Sequence, residues 1–343
     1  MRPASPVIAS ALLLTLAAVA CGGSEAPKPP DVIVGGLPSS TRAVTPSPTP
    51  AVATTMQTPE PTPPPRPPMV VSLGWLDGAP AVPDLPSSFA GPSPDSGLHA
   101  AVESALAGRE GVYSVVVHNL ANGRYAELNA DPVYYAASLY KLEVLIEAYR
   151  QRDAGELDFS RLLTLEKKYI ELDLKTLELL EILENDQVTV HDAVRAMTII
   201  SDTPTASLLQ DTLNPVRIDQ TLASLGLTAT ESANRNLPTT ARDMARLLTA
   251  IAAGQGGVAG GSRAEMLSLL LQEGFRSGSV GGVPAGTPVA HKTGSYTDAT
   301  HDVALVWSPA GPYVIAVLTN RSYDWEPIRE VSRVVWEYFA ANP

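Results

Sequence analysis

The chain has 343 residues, 45% of them hydrophobic and 17% charged, and a formal net charge of −12. That acidic balance excludes a nucleic-acid binder relying on a basic surface to neutralise phosphate. A single cysteine excludes an internal disulfide, and with five scattered histidines it excludes a multi-cysteine zinc site.

The N-terminus reads as a secretory signal. Arg2 supplies the positive start, and Val7 to Ala20 is apolar except for Ser10 and Thr15. That stretch is too short for a membrane-spanning helix, which needs about 20 apolar residues, but it suits the apolar core of a signal peptide over residues 1–20. Ala18-Val19-Ala20 precedes Cys21, and Gly22-Gly23-Ser24 follows. This resembles a bacterial lipoprotein signal, in which the cysteine is lipidated and becomes the new N-terminus. Ala18 departs from it, since such signals more often carry leucine there. The alternative is an ordinary secretory signal cleaved near Cys21, giving a secreted protein. The resemblance implies a chain outside the cytoplasm, held to a bacterial cell membrane through Cys21.

Residues 22 to 97 hold 19 of the 31 prolines, as in Thr45-Pro46-Ser47-Pro48-Thr49-Pro50. Such composition lacks apolar periodicity, so residues 21–97 are expected to be a disordered, partly polyproline linker. A flexible chain of that length reaches on the order of 50 Å. Within it, Met69–Leu76 is more apolar than its surroundings, and docking of this segment on the domain is the minor alternative.

From Leu98 to Pro343 the composition is that of a globular domain. His99–Ala107 is expected to be a short helix, and Val112–Asn119 a β-branched strand. Asn122-Gly123 is a hairpin turn signal, with Arg124–Asn129 as the return strand. Helices and loops fill Ser138 to Leu271; the acidic stretch Glu166–Glu184 reads as a solvated face. Val289–Gly294, Val303–Trp307 and Tyr313–Thr319 are apolar strands, and Pro309–Pro312 marks a tight hairpin. Ile328, Val331, Val335 and Phe339 sit at helical spacing in a last helix, Glu326–Ala341. Strands at both ends and helices between them predict an α/β protein of the α+β type. One antiparallel sheet is built from both ends, an all-helical subdomain is inserted, and a cleft lies between the two.

Three short motifs carry the chemistry. In Ser138-Leu139-Tyr140-Lys141, residues three apart at a helix start share a face. A buried lysine of lowered pKa can take the proton of a serine nucleophile, and the helix N-terminus aims N–H groups at a developing oxyanion. Alone, this motif also fits a helix cap and a surface lysine. Ser201-Asp202-Thr203 follows the helical run Val190–Ile200 and alone fits a helix end. His291-Lys292-Thr293-Gly294-Ser295 puts a lysine and a glycine in a strand, and Gly294 predicts a close approach of other backbone; the lysine alone would fit a protected edge strand.

In order, spacing and context, the three together resemble the penicillin-recognising serine enzymes, and among them the class A β-lactamases. Thr239-Thr240-Ala241-Arg242-Asp243-Met244 resembles a further family segment. The resemblance covers nearly the whole of residues 98–343. It implies an antiparallel five-stranded sheet flanked by helices plus a helical subdomain. It also implies that Ser138 is acylated, that Lys141 is its base or proton partner, and that Ser201 relays a proton to the leaving nitrogen. Lys292 would add positive charge near Ser201 and help keep Lys141 neutral. The backbone N–H groups of Ser138 and Ser295 would form the oxyanion hole. Asp202, Thr203, Thr293, Gly294 and Ser295 would contact substrate, with Lys292 and Thr293 holding its carboxylate.

Two departures stand out. Thr203 replaces the family's asparagine and lacks its paired donor and acceptor. Only 12 residues, Leu227 to Pro238, fill the place of the omega loop, and the Glu-x-x-x-Asn motif whose glutamate activates the deacylating water is not found. Glu231 is the only carboxylate there: an improvised base or a surface residue. His301 is a further candidate beside the cleft, more readily a structural histidine. The leading expectation is hydrolysis of β-lactam amides through a Ser138 acyl-enzyme. Slow release, or a D,D-peptidase acting on peptidoglycan stem peptides, is the alternative that the short loop favours; an inactive tethered wall-binding module is the third. No cofactor, metal or nucleic-acid partner is implied, and a monomer is expected.

Overall fold

The structure, a computed structural model, describes residues 67–76, 78–173 and 182–343. The signal segment, Cys21, the linker up to residue 66, and Glu178 and Glu181 of the acidic stretch lie outside the described residues.

Five long strands make the sheet: β1 (Tyr113–Asn119), β2 (Arg124–Leu128), β3 (Val289–Tyr296), β4 (Ala299–Ser308) and β5 (Gly311–Thr319). Their order is β2-β1-β5-β4-β3, all antiparallel. The two ends of the domain therefore pair directly, Val117 opposite Ile315. The five-stranded antiparallel expectation gains one correction: Ser93–Pro94 adds a short sixth strand, parallel to β2 at its outer edge.

Among the described residues the α-helices are α1 (Ser96–Leu106), α2 (Tyr140–Asp153), α3 (Lys167–Ile170), α4 (Val190–Ile199), α5 (Thr203–Leu213), α6 (Pro215–Ser224), α7 (Ala241–Ala253), α8 (Gly260–Leu270) and α9 (Glu326–Ala341). Side chains alternate across a strand, so each residue set commits to one face. Val115, Val117, Ile315 and Val317 pack with Leu98 and Val102 of α1 and Ile328, Val331, Val335 and Phe339 of α9. Val116, Val314, Ala316 and Leu318 face the other way, into a larger core shared with the helical part. Leu142, Val144, Leu145, Ile146 and Ala148 of α2 are all fully buried. The same helix also buries Lys141, Glu143, Glu147 and Gln151, so it is enclosed on nearly every side and gives Ser138 and Lys141 a rigid base.

The linker boundary at residue 97 also needs correction. Leu73 and Leu76 are buried in the larger core, and Val82, Leu85 and Phe89 pack against it. Val71 N–H donates to Gln187 O at 2.8 Å, Trp307 Nε1 to Asp84 O at 3.2 Å, and Ala90 N–H to Leu120 O at 2.9 Å. Prolines remove donors from this strap but leave its apolar side chains free to anchor it.

Candidate active site

The nucleophile candidate sits on a tight turn. Ala137–Leu139 forms one 3-10 turn running directly into α2, so Ser138 lies just ahead of Lys141 in helical register. Ala137 and Ser201 both adopt left-handed backbone, φ 47° and 58°. Non-glycine residues hold that conformation only where surrounding packing imposes it.

Lys141 is 1% exposed. Its Nζ lies 3.1 Å from Ser138 Oγ, 3.0 Å from Ser201 Oγ and 3.4 Å from Thr203 Oγ1. It also donates to the Ser201 carbonyl. Burial pushes its pKa down to about 7; the Lys292 cation works in the same direction, and Asp202, Asp173 and Glu273 oppose both. A substantial neutral fraction at neutral pH makes Lys141 competent to take the Ser138 proton. Ser138, Lys141, Ser201 and Thr203 are thus brought together as the motifs required.

Gly294 is needed where it stands. A Cβ there would lie 2.9 Å from Ala136 O, 3.2 Å from Leu139 Cγ and 3.3 Å from Leu139 N. The close approach predicted from the sequence is that of β3 to the nucleophile turn, and it sets Ser295 beside that turn. β3 is the last strand of the sheet, so its outer edge is available to the cleft.

Lys292 and Thr293 face a partner the sequence did not reveal. Lys292, 1% exposed, places Nζ 3.0 Å from Glu273 Oε1 and 3.2 Å from Thr293 O. Thr293 Oγ1 donates to the same Glu273 oxygen at 2.7 Å. Glu273 Oε2 accepts from Phe275 N–H at 2.9 Å and lies 3.2 Å from His291 Nε2. His291 Nδ1 is 3.2 Å from Asp302 Oδ1, whose Oδ2 accepts from Ser279 N–H at 2.6 Å. Burial disfavours charge on Glu273 and His291 alike. Lys292, then His291, nevertheless keep the Glu273 pKa below its usual range, and Asp302, then Glu273, raise that of His291. Glu273 stands just beyond α8 as an isolated carboxylate, with no spacing to mark it.

Other expected residues are placed differently. Asp202 is fully buried and caps α5, its Oδ2 accepting from Thr205 N–H at 2.8 Å and Thr205 Oγ1 at 2.5 Å. The expectation that it contacts substrate is corrected: the N-terminus of α5 takes that carboxylate. Glu231 is exposed, and its carboxylate accepts from Asn234 Nδ2 at 3.0 Å, which fits the surface reading rather than a base. His301 is opposite Gly294 in β4 and fully buried. Its Nδ1 accepts from Thr319 N–H at 3.3 Å, which leaves Nε2 to donate to Tyr135 O at 3.0 Å. Burial pushes its pKa down to about 4, so it is a neutral strut between the sheet and the segment leading to Ser138. Asp173, expected on a solvated face, lies close enough to Lys141 and Asp202 to act on both.

The model of the Beta-lactamase enzyme family matches residues 97–339. Among solved structures, the chain is similar to PBP-A at 24% identity, covering 74% of this chain and 100% of that one with a TM-score of 0.68. A mutant of PBP-A, solved as its acyl-enzyme complex with penicillin G, matches at 25% identity, with the same coverage and a TM-score of 0.69. A β-lactamase from Sphaerobacter thermophilus matches at 25% identity, covering 72% of this chain and 98% of that one, with a TM-score of 0.63. None of the curated proteins matches.

Proposed function

The chain belongs to the Beta-lactamase enzyme family, and from that premise we propose that it is a serine acyl-transfer enzyme that opens β-lactam amides on Ser138 and releases the acyl group slowly. One observation carries this reading: the buried Lys141 amine lies within hydrogen-bonding reach of both Ser138 Oγ and Ser201 Oγ.

Neutral Lys141 takes the Ser138 proton as Oγ attacks the amide carbon. The oxyanion forms beside the N-terminus of α2 and the edge of β3, where the N–H groups of Ser138 and Ser295 are offered. Lys141 then holds one proton more than it needs and stands 3.0 Å from Ser201 Oγ. Ser201 passes its own proton to the leaving nitrogen and regains one from Lys141. The Lys292 charge favours each return of Lys141 to the neutral form. Release of the acyl group needs an activated water. Glu231, exposed and held by Asn234, is not offered to it, which supports a long-lived acyl-enzyme.

A second reading, D,D-peptidase action on peptidoglycan stem peptides, is favoured by the same exposed Glu231 and uses the same groups. We also propose lipidation at Cys21, with the acidic domain held outside the membrane on its linker; mass spectrometry of the mature N-terminus of wild type and Cys21→Ser tests this.

The test of the function is intact-protein mass spectrometry of the full chain with benzylpenicillin over time, with Ser138→Ala as control. A persistent adduct on wild type alone is the expected result. Rapid loss of the adduct with ring-opened product refutes slow release and makes the protein an efficient β-lactamase. Absence of any adduct refutes the reading. Release of D-alanine from an acyl-D-Ala-D-Ala peptide decides for the second substrate.

A further inference from the structure

A lysine and a threonine hydroxyl side by side form a clasp for a carboxylate, and here that clasp already holds one. Glu273 Oε1 accepts from Lys292 Nζ at 3.0 Å and from Thr293 Oγ1 at 2.7 Å. A hydroxyl has one proton to donate and an ammonium three. The Thr293 proton is engaged by Glu273. Lys292 directs one proton to Glu273 and one to the Thr293 carbonyl, 3.2 Å away. One N–H of the whole clasp remains for an incoming group.

Glu273 is a built part of the site. It is 1% exposed, and its second oxygen is fixed by Phe275 N–H at 2.9 Å. The surrounding charges also balance. Lys292 faces Glu273, and His291 lies 3.2 Å from Glu273 and 3.2 Å from Asp302. No uncompensated cation of this cluster is left to draw a substrate carboxylate in.

We propose that Glu273 is a specificity-determining residue that fills the Lys292–Thr293 clasp, so that the Ser138 site acylates on amides without selecting for a free carboxylate beside the scissile nitrogen. The favoured substrates are those in which that carboxyl group is absent, amidated or esterified. The inference rests on the acylation of Ser138 proposed above, and it makes Glu273 a positioning residue for Lys292 as well.

The test compares second-order acylation of the full chain by benzylpenicillin and by benzylpenicillin methyl ester, both followed by intact mass. A charge-assisted hydrogen bond to the acid would favour it roughly 10- to 100-fold. Wild type is expected to acylate with the two compounds within about threefold of each other. A preference for the acid beyond that margin overturns the inference while leaving the Ser138 reading intact. Absence of adduct with either compound overturns both. In Glu273→Gln, where the clasp regains its net positive charge, the acid-to-ester ratio is expected to rise about tenfold or more. A ratio unchanged from wild type in a folded Glu273→Gln protein overturns the inference. The wild-type comparison needs no variant and decides the matter even if Glu273→Gln does not fold.

Discussion

Lys292→Ala is the sharpest probe of how Lys141 becomes a base. With a pKa of about 7, Lys141 is half neutral at pH 7, and about one-tenth neutral at pH 6. An ordinary lysine would be neutral in roughly one molecule in 2,500 at pH 7, so the site raises the supply of base about a thousandfold. Burial is the larger cause and Lys292 the next. Removing the Lys292 cation stabilises protonated Lys141, and leaving Glu273 without its cation acts in the same direction. Neutral amine is the active form, so acylation rises with pH through the folded pKa. Because burial remains, the variant's acid limb is expected to move up by only about one pH unit. The assay is the second-order acylation constant for a β-lactam ester, measured from about pH 5 to about pH 9 by intact mass. Wild type should show a limb near 7, falling about tenfold per pH unit below it. The variant's rate near pH 6 should fall about tenfold beyond any loss on its high-pH plateau. A limb that stays in place in Lys292→Ala refutes the electrostatic role of Lys292. A wild-type limb far below 7 refutes Lys141 as the base.

Gly294→Ala places a methyl group 2.9 Å from Ala136 O; it should destabilise by about 1–3 kcal/mol and slow acylation at least tenfold, and an unchanged acylation rate would contradict the tight strand-to-turn approach. Leu73 is 1% exposed, so Leu73→Ala should cost about 2–5 kcal/mol and lower the calorimetric Tm by roughly 4–15 °C. Met69→Ala on the same strap, at an exposed position, should leave Tm unchanged; equal effects of the two would mean that the strap does not dock. His301 is held neutral, its pKa lowered from 6.5 to about 4. The unfolded chain therefore binds this proton first as pH falls, and stability is lost between those two values, by at most about 3 kcal/mol. Denaturant titrations of wild type and His301→Gln should show a flatter pH dependence in the variant across that window, and parallel curves would reject the assignment.

The parts of the fold legible in the sequence are those with a strong local period. A β-branched run marked β1, a continuous apolar run marked β5, and helical spacing located α9 at Glu326–Ala341, as found. The site was legible where chemistry demands a fixed interval: a spacing of three positions from Ser138 to Lys141, and the glycine of Lys292-Thr293-Gly294. Glu273, His291 and Asp302 were not legible as a group, because a buried ion network is assembled by tertiary contact between distant segments. The strap was only partly legible, for a different reason. Its proline content reads as linker, while scattered apolar side chains, Leu73 and Leu76 above all, anchor it to the core. Asp202 was misassigned because a helix-capping carboxylate and a substrate-facing one look alike in sequence.

The geometry of the nucleophile is maintained against local preference. Ala137 and Ser201 hold left-handed backbone, each at a cost of about 1–3 kcal/mol. Lys141 is buried, and the loss of water around its amine disfavours the charged form. These penalties fall where α2, the loop after α4 and the edge strand β3 meet, so no single element could sustain them alone. The support comes from both sides. α2 is encased by the helical core, and β3 is fixed through β4 to β5 and from there to β1. A neutral His301 adds a hydrogen bond from β4 to the segment before Ser138 without adding a charge near Lys141. In this site reactivity comes from denying a lysine its usual solvation, and the rest of the domain is what keeps the lysine from recovering it.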